Sequence, residues 1–157
     1  MRFVVLVNHL GISRDSLTTS LNSLLELELI QRNPGYGHPL RPEYILTGAG
    51  KGVAKACHRY LQAEPRSDTM TRKWTAPILL VCRDGRARFN EIRALLGITP
   101  RALTQSFKQL ENEKLVNRIV DPGYPPSTSY QLSRRGAKLA RMVDEIQQTL
   151  QDDVRPK

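Results

Sequence analysis

The chain has 157 residues, 39% of them hydrophobic and 25% charged, and a formal net charge of +9. That hydrophobic share supports modest cores and excludes a disordered, low-complexity chain. The positive excess points to a polyanionic partner, nucleic acid ahead of an anionic membrane surface. It is also uneven. Residues 1–65 carry 7 Lys/Arg against 5 Asp/Glu, whereas residues 66–157 carry 17 against 10, net +2 and +7.

In chain order, the apolar run Phe3 to Val7 is cut at Asn8-His9. It is too short for a secretory h-region, and no small-residue cleavage site follows. Nor is any later stretch long enough to span a bilayer, so the chain is expected to be soluble and cytoplasmic. Ser13 after Gly11-Ile12 has the chemistry of a helix cap, and Asp15 suits the positive end of the helix dipole. Leu17, Leu21 and Leu24 supply the buried face of that helix. Asn33-Pro34-Gly35-Tyr36 is turn chemistry, and a return strand follows at Tyr44. Thr47 caps a closing helix from Gly48 to about Ala63, and residues 64–72 form a linker.

Trp74 to Cys82 is an apolar run predicted to be helical, with Pro77 tolerable in its first turn. Asp84-Gly85 turns the chain, and Arg86 to Phe89 is short enough for a brief strand or the start of a helix. Asn90 to Leu96 places Ile92, Leu95 and Leu96 at helical spacing, and Gly97 stops it. Thr99 can cap the next helix, and Pro100 suits its first position because a missing N–H costs nothing there. Leu103, Phe107 and Leu110 then form one buried face. Leu115 to Val120 and Ser127 to Leu132 read as strands around the turn Asp121-Pro122-Gly123-Tyr124-Pro125-Pro126. Ser133 caps a final helix from Arg134 to about Leu150, with a stripe of Leu139, Met142, Val143, Ile146 and Leu150.

These two passages are the same passage. At an offset of 86, residues 2–54 and 88–140 align without a gap and agree at 17 of 53 positions, including Arg2/Arg88, Gly11/Gly97, Tyr44/Tyr130 and Gly50/Gly136. The fold class expected is α+β and mostly helical: two tandem winged helix-turn-helix modules at residues 1–63 and 73–152. The first lacks its opening helix, because Arg2-Phe3 aligns with Arg88-Phe89. Either the true start lies upstream of Met1, or Trp74–Cys82 or a partner chain supplies the missing helix.

One stretch carries a family resemblance. Lys73-Trp74, Arg88-Phe89-Asn90-Glu91-Ile92, Gly97 to Gln105, Leu110 to Arg118 and Tyr130-Gln131-Leu132-Ser133 together resemble the HxlR family, a branch of the MarR-like winged-helix regulators. The likeness covers about residues 73–140, and the first half matches more loosely. It implies transcriptional regulation, with the helix after Gly97-Ile98-Thr99 in the major groove of DNA and the wing on the minor groove or backbone. Members are usually single modules that dimerise through their first and last helices, and many carry a sensing cysteine before the first helix. Ser67 to Arg72 contains none, so redox sensing by that route is not supported.

With Leu103, Phe107 and Leu110 inside, the opposite helix face presents Arg101, Thr104, Gln105, Lys108 and Asn112. Arg reads guanine, Gln reads adenine and Thr meets the thymine methyl. Thr99 and Tyr124 flank this face as further DNA contacts, while Arg86, Arg88, Arg93 and Arg118 are expected to hold phosphates. The first copy offers Arg14, Thr18 and Asn22 with His38 and Arg41 of its wing, but Asp15, Thr19 and Glu26 share the face. It is expected to bind DNA more weakly or to have turned structural.

No Cys/His cluster with zinc spacing, phosphate-cradling glycine loop or Ser/His/Asp arrangement is present, so no metal, no cofactor and no enzyme are expected. Cys57 and Cys82 are expected to be small buried residues, His9 a surface residue and His58 part of helix packing. The partner expected is double-stranded DNA, bound by the two modules as an intramolecular pseudo-dimer or by a homodimer. The alternative is a winged-helix protein–protein scaffold without sequence-specific DNA binding. No effector is named by the residues.

Overall fold

A computed structural model describes residues 1–35, 42–63, 72–124 and 126–153. These fall into two compact units, residues 1–58 with 146–157, and residues 59–145. The architecture is mixed α+β and mostly helical.

The second unit takes in the end of α3 (Gly48–Ala63) from residue 59, then α4 (Thr75–Val81), β3 (Ala87–Arg88), α5 (Phe89–Leu96), α6 (Pro100–Asn112), β4 (Val116–Asp121), β5 (Ser127–Leu132) and α7 (Arg134–Asp153) as far as residue 145. Gly97 ends α5 at φ 59°, a left-handed turn that costs a residue without Cβ little. Two residues later the Thr99 hydroxyl accepts the Ala102 N–H at 3.3 Å and Pro100 occupies the first turn, so α6 starts at a fixed place and angle. Leu103, Phe107 and Leu110 of α6 are each no more than 1% exposed. Burying side chains of this size contributes roughly 1.5–3 kcal/mol each, which holds α6 in one rotation about its axis. Phe107 also stacks on Tyr130 of β5, ring centroids 3.6 Å apart. The three strands pair antiparallel in the order β3-β5-β4, with Val116 opposite Leu132 and Asp121 opposite Ser127. Helix-turn-helix followed by this sheet is a winged-helix plan.

The first unit contains α1 (Phe3–Leu10), α2 (Arg14–Glu26), β1 (Ile30–Arg32), β2 (Tyr44–Leu46) and α3 (Gly48–Ala63) as far as residue 58. Gly11 ends α1 at φ 63°, and the Ser13 hydroxyl accepts the Ser16 N–H at 3.1 Å to cap α2. Ile30 faces Leu46 and Arg32 faces Tyr44 across the strand pair, and Arg2 bridges to Glu43. The core is smaller: Leu17, Leu21 and Ile30 are buried, with Phe3, Leu6 and Leu24 packed half-buried against them. α1 buries no residue completely, and Val4, Val5 and Leu10 are exposed.

Each closing helix begins in the same way. The Ser133 hydroxyl donates to the Lys114 carbonyl at 2.7 Å and accepts the Gly136 N–H at 3.0 Å, and the Ser133 N–H reaches the Leu115 carbonyl. Thr47 does this with Glu28, Gly50 and Leu29. The helix backbone comes so close that a Cβ on Gly136 would lie 2.0 Å from the Leu115 carbonyl oxygen, and one on Gly50 would lie 1.8 Å from that of Leu29.

Several expectations are corrected. Leu95, expected at helical spacing with Ile92, is 72% exposed: it lies about 60° round a short helix from buried Ile92, beyond the edge of the core. His58, expected within the helix packing, is exposed, because the buried stripe of α3 runs through Val53, Ala56 and Tyr60. Cys57 is half-buried, and Leu24 only partly so. The strand expected from Leu115 starts at Val116 and reaches Asp121, and Leu115 itself sits wholly in the core.

Gly136→Ala and Gly50→Ala are expected to lower the unfolding free energy by about 2–3 kcal/mol in urea titration, the upper range for forced overpacking. Gly48→Ala meets nothing within 4 Å, and should change it by less than about 0.5 kcal/mol.

Candidate nucleic-acid interface

Because the inner face of α6 is fixed, its outer face is fixed too. Arg101, Thr104, Gln105 and Lys108 are all exposed and follow one another at helical spacing i, i+3, i+4 and i+7. Asn112 continues the same surface. Thr99 at the head of the helix is exposed, its hydroxyl already engaged as the cap. None of Arg101, Lys108 and Arg118 takes part in an ion pair among the described residues, so their charges are available to a ligand.

The stripe runs into the wing strands. Thr104 and Lys108 share an open groove of about 460 Å³ with Arg118 of β4 and Thr128 of β5. Phe89, Phe107, Tyr130 and Glu111 complete its lining. Burial and the nearby Glu111 carboxylate push the Tyr130 phenol above its ordinary value, so it stays protonated. Arg86 and Arg88 are exposed beside the sheet, Arg86 only loosely opposed by Asp121 at 3.9 Å. The Arg88 backbone N–H donates to the Glu91 carboxylate at 2.9 Å, leaving its guanidinium outside that contact. Tyr124, at the wing turn, is fully exposed.

In the first unit Arg14, Thr18 and Asn22 are exposed along α2, alongside Asp15 and Glu26. The Thr18 hydroxyl donates to the Arg14 carbonyl at 2.8 Å, and the Thr19 hydroxyl to that of Asp15 at 3.0 Å. Both are occupied by their own helix, a competition that short hydroxyl side chains commonly enter. His38, Arg41 and the turn residue Tyr36 lie outside the described residues, as does Pro125 of the second wing turn and most of the linker. Glu43 is held below the usual carboxylate range by the Asn33 side-chain amide at 2.8 Å and by the Met1 amino group.

Sequence reasoning missed the groove. Phe89, Glu111 and Thr128 are brought to Lys108 and Arg118 only by strand pairing, although the pairing of Arg118 with Tyr130 across β4 and β5 could have been counted from the turn. Of the two cysteines, Cys82 is buried, and burial pushes its thiol up to about 11. No group of three His, Cys, Asp or Glu among the described residues is placed to hold a metal ion, and no helix of theirs is long and apolar enough to cross a membrane.

Comparison with known proteins bears on this surface. Residues 69–157 match the model of the HxlR-like helix-turn-helix family. The chain is 37% identical over 75 residues to an uncharacterized HTH-type transcriptional regulator of Methanothermobacter thermautotrophicus, a match covering 47% of this chain and 57% of that one. It is 34% identical over 94 residues to the uncharacterized HTH-type transcriptional regulator YvaP of Bacillus subtilis, covering 59% and 84%. Among solved structures, the redox regulator HypR in its oxidized form superposes with a TM-score of 0.50 at 33% identity, over 52% of this chain and 84% of that one.

Burial both raises the Cys82 thiol and shields it from solvent, so at pH 8 Cys82 in the native chain is expected to react with a disulfide reagent at least about tenfold more slowly than in the urea-unfolded chain. Equal rates would contradict the burial argument.

Proposed function

The chain belongs to the HxlR-like helix-turn-helix family, and from that we propose that it is a transcriptional regulator that binds double-stranded DNA sequence-specifically. The observation that carries the proposal is the stripe Arg101, Thr104, Gln105 and Lys108, exposed on a helix whose other face is sealed in the core. A helix of this width fits the major groove, where these side chains match base-edge donors and acceptors. Arg86, Arg88 and Arg118 would take phosphates and set the register, and Tyr124 would lead the wing. The net +7 of residues 66–157 gives the attraction its reach.

In the same reading, residues 1–63 and 73–152 are two winged helix-turn-helix modules in one chain. Features of the first half that recur 86 positions later support it. The helix-ending glycines are Gly11 and Gly97, and the strand registers are Ile30 with Leu46 and Val116 with Leu132. The positive-φ residues are Glu28 and Lys114, and the closely packed glycines are Gly50 and Gly136. The modules would act as an intramolecular pseudo-dimer or within a homodimer, with reading concentrated in the second. Asp15, Glu26 and the self-bonded Thr18 make α2 a poor match to phosphates and base edges.

Fluorescence polarisation on operator fragments at two salt concentrations tests this. Arg101→Ala is expected to cost about 1–3 kcal/mol and to relax preference at one base pair, whereas Arg118→Ala should lower affinity evenly and flatten the salt slope by about one. Arg14→Ala should cost less than Arg101→Ala. Absence of binding at low salt would favour a protein-binding scaffold instead.

A further inference from the structure

Arg59, near the end of α3, forms an ion pair with Glu145 of α7. Both residues belong to the second compact unit and stand at its two chain ends. Their separation along the chain is 86, the spacing of the sequence repeat, so carrying the register five residues past its aligned end at Ala54 and Ala140 makes each the counterpart of the other. In a two-fold arrangement, residue i generally meets some j and j meets i; a residue meets its own counterpart only at the axis. In a dimer of identical chains such a position brings identical side chains together. Here the two differ in sign.

That difference has a consequence for choice of partner. Two α3 ends meeting at this point would set Arg59 against Arg59, and two α7 helices would set Glu145 against Glu145. Only α3 against α7 is matched, and like charges set against each other penalise the alternatives. The neighbouring Asp144 is already engaged by Arg83 at 2.5 Å, so the matched carboxylate for Arg59 is Glu145. Both side chains of the pair are about half exposed, which limits its weight in overall stability and leaves discrimination as its effect.

We propose that Arg59 and Glu145 form a charge lock that pairs α3 with α7 of the same chain and disfavours pairing of equivalent helices from two copies. The proposal rests on the reading of two modules per chain and decides between the arrangements that reading leaves open, in-chain pairing or pairing between chains. Its test involves no DNA, so a failure to bind DNA would leave it standing.

The test follows thermal unfolding of the full chain at low salt in four forms: unaltered, Arg59→Glu, Glu145→Arg, and both changes together. Each single reversal is expected to lower the midpoint by about 2–4 °C, and the double reversal to return it to within about 1 °C. The two single variants are then unfolded, mixed in equal amounts and refolded. If the lock closed between chains, the mixture would contain two matched pairs and recover its midpoint. In-chain closure predicts that the mixture melts like the single variants. Recovery by mixing, unchanged midpoints in the single variants, or additive loss in the double variant would each overturn the proposal.

Discussion

The contact on which the arrangement within each unit depends is the seating of a helix on a single carbonyl. In the second unit the first turn of α7 approaches the Leu115 carbonyl oxygen until only glycine fits at position 136. The Ser133 side chain bonds simultaneously to the end of the α6 loop at Lys114 and to the start of α7 at Gly136. Ser133 is also the residue that follows β5. The end of α6, the start of β4, the end of β5 and the start of α7 are thus tied within one turn of chain. The carbonyls of Lys114 and of buried Leu115 are both satisfied there. Lys114 accepts a φ of 56° to make the approach, a strained conformation for a residue with a Cβ. Thr47, Gly50 and Leu29 make the corresponding contact in the first unit, with Glu28 at φ 53°.

The outer surface follows from that seating. With α6 pinned at its head by the Thr99 cap and at its tail by the Lys114 turn, the rotation that buries Leu103, Phe107 and Leu110 fixes the face from which Arg101, Thr104, Gln105 and Lys108 project. Side chains held ready on a rigid helix lose less entropy on contact than side chains on a loop, which is the advantage of reading a groove with a helix. Seating alone does not give a helix a cationic outer face. α2 is capped and seated in the same way, yet its exposed face carries Asp15 and Glu26, and its threonine hydroxyls bond to their own backbone.

Much of this was legible in the chain itself. Gly97-Ile98-Thr99-Pro100 encodes a stop, a cap and a restart in four residues, and each operates locally, so the helix-turn-helix could be placed without knowing the rest of the fold. Leu103, Phe107 and Leu110 declared the inner face by spacing alone. The losses came where position depends on non-local packing. Leu95 has the right residue type and nearly the right spacing for the core, but α5 is covered over too narrow an arc to include it. The groove lined by Phe89, Lys108, Arg118 and Tyr130 arises from strand register across the β4–β5 turn. The meeting of Arg59 with Glu145 is a contact that a repeat offset can label but cannot foresee.

The central claim is that DNA is read by the outer face of α6 and by the second wing. Hydrogen exchange of the chain with and without an operator fragment tests it most directly. The account predicts slowed exchange at the head of α6 around residues 99–105 and in the β4–β5 turn, with α2 little changed. Equal slowing in α2, or none at α6 under saturating DNA, would contradict it.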